Sequence, residues 1–136
     1  MKQELFAADS ALVQALELRS EPISYIEECT LFKQGDNPNG LYILKSGEAI
    51  LTMESRPGRA VMCAHAGAGS VLGFPGVIAN EPYTMTALVR GGSEVRFVTR
   101  NDFEEMMRVE PSLYPMVLQV LAVEVRAARQ AFSELG

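Results

Sequence analysis

Residues 32–47 decide the fold: Phe32-Lys33-Gln34-Gly35-Asp36, five residues, then Tyr42-Ile43-Leu44-Lys45-Ser46-Gly47. Gly35 and Gly47 mark turns that need a positive φ or a close backbone approach. Asp36 has the short carboxylate that hydrogen-bonds turn backbone. Between the two turns, Tyr42 and Leu44 are two residues apart, so on a strand both point to one face, the interior. The stretch reads as strand, tight turn, strand, tight turn.

The same grammar continues on both sides. From Ile23 to about Thr99 the apolar runs are short, rich in β-branched and aromatic residues, and broken repeatedly by Gly, Pro, Asn or Asp. That predicts a turn-rich all-β unit. Strands are expected at 23–26, 29–32, 41–45, 49–54, 59–65, 83–89 and 95–99, with Arg56-Pro57-Gly58 as a hairpin tip. Ser10 to Leu18 carries Leu12, Val13 and Leu16 at helical spacing. Past Arg100, Asn101 or Asp102 is expected to cap a short helix to about Arg108. Pro111 then opens a long helix to about Phe132, since proline is tolerated in a first turn. The expected architecture is mainly β: a barrel over about 22–99, a double-stranded β-helix (jelly roll) of about eight strands, with a short N-terminal and a long C-terminal helix. It makes one domain, 1–136.

Composition narrows the function. The 48% of hydrophobic residues and 21% of charged ones suit a folded soluble domain. A net charge of −5 argues against general nucleic-acid binding, which needs basic surface. No apolar run is long enough for a membrane span. Glu4 and Asp9 stand where a secretion signal would be apolar. A cytoplasmic location is expected, with Cys29 and Cys63 as buried thiols.

The motif of residues 32–47 resembles the cyclic nucleotide-binding domain superfamily, which includes the sensor halves of catabolite-activator and Fnr-type regulators. Gly69 and Gly73 sit where that family's phosphate-binding cassette begins. Ser93 to Phe103 resembles its last barrel strand and following helix, and Pro111 to Phe132 its long helix. The resemblance implies a candidate pocket at Val71, Leu72, Gly73, Phe74, Pro75, Gly76, Tyr83, Thr84 and Met85.

In the family's pattern a Glu shortly after the second Gly binds the ribose, and an Arg about nine residues on pairs with the cyclic phosphate. By position, Phe74 stands for that Glu and Tyr83 for that Arg. No Lys or Arg lies between Arg59 and Arg90. A phosphate entering a cleft gives up its hydration and needs a cation or aligned donors, which Tyr does not replace. An unpaired buried charge costs about 3–5 kcal/mol, or roughly two to four decades in affinity. Arg56, Arg59 or Arg90 swinging in, or the N-terminus of a short helix near Phe74, would compensate. The expectation is a vestigial or repurposed pocket. A repurposed one suits an apolar or aromatic ligand, with Thr84, Thr86 and the Tyr83 hydroxyl as polar anchors. The plain structural alternative is that Phe74, Val77, Ile78, Tyr83 and Met85 fill the barrel.

Other chemistry is thinly supplied. Cys63 and His65 share a strand face, but a metal needs three or four ligands and the chain has a single His. Some relatives hold haem through the cassette, where Gly73 to Gly76 here offers no Cys or His. No nucleophile motif occurs. Neither an enzyme, a cofactor nor a metal is expected. The relatives' DNA-binding half would follow the long helix, whereas the sequence ends at Gly136, so no DNA-binding domain is expected in this chain.

The long helix has an apolar arc of roughly 220°, wider than one core face needs. Leu113, Val117, Leu121, Val125 and Phe132 are assigned to the barrel. Met116, Val120, Val123, Glu124 and Ala127 are assigned to a homodimer seam, in which Glu124 needs a partner. Three functions stay open: a regulatory domain signalling through a small effector, a ligand-free dimerisation module, and a cyclic-nucleotide binder using altered contacts.

Overall fold

The computed structural model describes residues 5–133. Helix α1 is Ser10–Glu17, followed by strands β1 (Glu21–Ser24), β2 (Cys29–Phe32), β3 (Gly40–Ser46), β4 (Ala49–Arg56), β5 (Arg59–Ala66) and β6 (Ser70–Leu72). Then come α2 (Phe74–Ala79), β7 (Thr86–Val89), β8 (Glu94–Thr99), α3 (Arg100–Val109), a 3₁₀ turn at Pro111–Leu113 and α4 (Tyr114–Ser133). The strands form two four-stranded antiparallel sheets, β1-β8-β3-β6 and β2-β7-β4-β5.

The chain crosses repeatedly from one sheet to the other, giving a jelly roll. This is the expected jelly roll, with its two sheets not closed into a barrel, since they are not hydrogen-bonded edge to edge. The β6 edge is covered instead: Ala7 bridges to Ser70, and Val71 N–H donates to the Phe6 carbonyl at 3.0 Å.

Both turns of the diagnostic motif form as read. Gly35 and Gly47 each have φ +94°, and the Asp36 carboxylate accepts from the Lys33 N–H at 3.3 Å. Tyr42 points between the sheets, its ring 5.6 Å from Phe32 of the opposite one. On the other face of β3, Leu41 and Ile43 are fully buried because α1 and α3 pack there.

The helix starts differ in detail. Asp9 caps α1, accepting from Ala11 N–H at 2.8 Å. Thr99, not Asn101 or Asp102, caps α3: its hydroxyl accepts from the Asp102 N–H at 3.1 Å. Pro111 opens the 3₁₀ turn, and Pro115 sits in the first turn of α4, where its missing N–H costs nothing. Strand β6 and helix α2 lie in the segment between Gly69 and Asn80, for which no strand was expected. Cys63 is exposed and Cys29 half-buried, so neither is the buried thiol expected.

Candidate functional site

The cleft lies between the cassette and α4. Gly73, with φ +105°, turns the chain from β6 into α2. Gly73, Pro75, Gly76, Tyr83, Thr84 and Met85 of the expected pocket come together there, joined by Phe32, Leu51 and Glu124. Val71, Leu72 and Phe74 do not line it. All three are fully buried in the core, and Phe74 packs on Phe103 of α3 at 5.7 Å between ring centres. Of the residues expected to fill the interior, Val77, Tyr83 and Met85 do so, while Ile78 is exposed.

Tyr83 is fixed from every side. Its hydroxyl donates to the Gly40 carbonyl at 2.6 Å and accepts from the Gly40 N–H at 3.1 Å. Its own backbone joins the diagnostic turn, accepting from Gly35 N–H and donating to the Asp36 carbonyl. Its ring stacks on Phe32 at 4.1 Å. The hydroxyl is therefore committed within the protein and is no free anchor for a ligand. Burial holds the phenol above its ordinary pKa. Thr86 is engaged likewise, accepting from Gln34 N–H at 3.0 Å. Thr84 alone of the expected polar anchors stays exposed, at the rim.

The cations weighed as substitutes are elsewhere. Arg56 and Arg59 lie exposed at the β4–β5 hairpin. Arg90 is 3.5 Å from Glu48, whose carboxylate also bonds His65 at 2.7 Å. The His65 bond and the nearby Arg90 hold Glu48 below its ordinary pKa. Among the described residues no group of three metal-ligating side chains occurs, and His65 turns to Glu48.

The charged group that does line the cleft is Glu124. It is 5% exposed, and its Oε2 is buried with no hydrogen-bond partner. Loss of hydration pushes its pKa up to about 8, because burial penalises the charged form. This corrects the expected helix orientation. Val120 and Glu124 face the protein's own sheets, and Met116, Val123 and Ala127 are half-buried. Tyr114, Leu118, Val125 and Phe132, two of them assigned to the barrel above, are instead exposed. The apolar period had placed two stripes on α4 without saying which one the sheets take. Glu124, an acid within an apolar arc, was the signal of a special position.

The space at the Glu124 carboxyl is small. The cleft holds about 220 Å³ of unfilled space shared with solvent at its mouth, and a water centre can reach about 10 Å³ of it. That is the threshold for one water.

Comparison with known proteins fits this geometry. No curated protein matches the chain. Among solved structures, the catabolite activator protein of Thermus thermophilus is 25% identical with a TM-score of 0.69, over 94% of this chain and 58% of that one. The c-di-GMP-responsive regulator CLP of Xanthomonas campestris is 17% identical with a TM-score of 0.71, over 93% of this chain and 62% of its own. The N-terminal domain of a transcriptional regulator from Streptomyces coelicolor is 24% identical with a TM-score of 0.65, over 96% of this chain and 91% of that one. The chain thus spans about three-fifths of the first two relatives. The model of the cyclic nucleotide-binding domain family matches residues 22–110, the sandwich with both diagnostic turns, the cassette and α3, and the chain belongs to that family.

Proposed function

We propose that the domain is a regulatory sensor, not an enzyme, whose cleft answers to a small effector other than a conventionally held cyclic nucleotide. One observation carries this reading: among the described residues the cleft is lined by a carboxyl and by no Arg, Lys or His. A cyclic phosphate there would meet Glu124 with nothing to balance its charge. Where the family's pattern has its ribose-binding Glu, Phe74 is core. Where it has the phosphate-binding Arg, Tyr83 is a structural clasp.

The output is α4, acting as a homodimer helix. Tyr114, Leu118, Leu121, Val125, Ala128 and Phe132 recur at alternating intervals of four and three, the period of a coiled-coil seam. Tyr114, Leu118, Val125 and Phe132 are each 45–59% exposed in the monomer. Glu124 lies on the same helix, one turn from Leu121 and Ala128 of the seam, so a ligand that moves Glu124 moves the seam. Two unpaired thiols support a reducing, cytoplasmic setting.

The small space in the cleft favours a second reading, a dimerisation module that binds nothing small. A thermal-shift screen with cyclic nucleotides, other nucleotides and small organic cations and apolar compounds separates the two. The sensor reading expects a shift with one class, and a flat response to all of them overturns it in favour of the module.

A further inference from the structure

Glu124 is a costly residue to keep where it stands. A carboxyl with one oxygen sealed from water and unbonded gives up hydration and receives nothing in return. Phe32 and Tyr83 also line the cleft, with their faces stacked on each other at an interplanar angle of 22°. Among the described residues lining the cleft with Glu124 none adds positive charge, and the titratable group among them is the Tyr83 phenol, itself raised by burial. The cleft thus holds a buried acid with no partner beside it.

We infer that the cleft takes a planar organic cation, an amidinium or guanidinium group, whose paired N–H donors bind Glu124. This rests on the reading of the cleft as an effector site. A planar delocalised cation fits better than an ammonium. It is more weakly hydrated, so it enters a dry cleft at less cost, and it meets a carboxylate with two parallel hydrogen bonds. A metal ion is disfavoured because Glu124 is the sole metal-ligating carboxyl among the lining residues.

The closed cleft cannot hold such a group without outward movement of α4, since Glu124 is carried on that helix. Binding therefore couples to the exposed seam on the same helix. It also couples to pH. Free Glu124 holds its proton up to about pH 8, and binding the cation as a carboxylate releases that proton to solvent. Affinity rises with pH by up to about tenfold per unit until the free acid ionises, then levels off.

The test is calorimetry of the full chain with benzamidine as probe. Neutral benzamide and anionic benzoate serve as shape-matched controls, and each is run at pH 6.5 and 9. The expected result is that benzamidine binds more tightly at pH 9 and the controls do not bind. In Glu124→Gln the cation should bind at least about tenfold more weakly and lose its pH dependence. Benzamidine that fails to bind, or binds equally to Glu124→Gln, overturns the inference. If Glu124→Gln does not fold, Glu124→Met replaces it, and the wild-type pH dependence alone decides: flat affinity between the two pH values also overturns it. If a neutral or anionic effector from the screen binds the cleft without regard to residue 124, the ligand class is wrong but the sensor reading stands. If nothing shifts the protein at all, both fall.

Discussion

The Tyr83 hydroxyl and the Gly40 backbone form a closed pair: O–H to carbonyl at 2.6 Å, N–H to the same hydroxyl at 3.1 Å. The pair pins the segment after α2 to the start of β3. It explains why Tyr83 is so thoroughly buried: its side chain ties two parts of the fold together.

Tyr83→Phe removes that tie and leaves two backbone groups of Gly40 without a partner. Urea denaturation should show a loss of about 1–3 kcal/mol. Gly40→Ala should cost at least as much for a different reason. A Cβ there would lie 2.2 Å from the Val98 carbonyl oxygen and 2.7 Å from the Phe97 ring. A Tyr83→Phe variant as stable as wild type would show the pair to be incidental.

Glu124 should leave a signature in stability against pH. Its folded pKa of about 8 stands above its ordinary value of 4.5. Between those values the folded state holds a proton that the unfolded chain releases, so stability falls as pH rises. The stabilising effect of protonation is complete below about pH 4.5 and lost as pH climbs through about 8, a change on the order of 5 kcal/mol at full extent. Melting curves of the wild type should decline from pH 5.5 to 8.5 relative to Glu124→Gln. Parallel curves for the two proteins would show that Glu124 keeps its ordinary pKa.

The dimer seam can be separated from the core on the same helix. Leu118→Glu with Val125→Glu, on the exposed side, should yield a folded monomer of 14.9 kDa by light scattering, where the wild type gives twice that mass. Val120→Glu, on the buried side at 1% exposure, should unfold the protein instead. A wild-type monomer at tens of micromolar would remove the seam from the account.

Phe74→Glu combined with Tyr83→Arg should not create a cyclic-nucleotide site. Phe74 is fully buried against Phe103, so a carboxylate there is unpaired and dry. The double variant should be severely destabilised, as seen by its melting temperature. A stable variant that gains cyclic AMP binding would mean that the cassette already has the nucleotide-holding geometry.

Much of the fold was legible because turns are local. Gly35, Asp36 and Gly47 act within a few residues of themselves, and the strands around them follow from their spacing. Closure was not local: whether two sheets join at their edges depends on the pairing of β1, β6, β2 and β5, which no short window contains. The site was half legible. The losses at positions 74 and 83 could be read directly, and they pointed to a pocket without a phosphate clamp. Glu124 was missed as a lining residue because a wide apolar arc fits a helix in more than one rotation. Only tertiary packing decides which stripe faces the sheets. Cys63 was misjudged because β5 alternates, and Cys63 falls with His65 on the face that meets solvent.

The most direct test of the central claim, a cleft that offers a phosphate no cationic partner, is isothermal titration of the wild-type protein with cyclic AMP, cyclic GMP and cyclic di-GMP at neutral pH. The account predicts no saturable binding, or dissociation constants weaker than about 100 µM, as expected when a phosphate loses its cationic partner. A sub-micromolar constant for any of the three would contradict it.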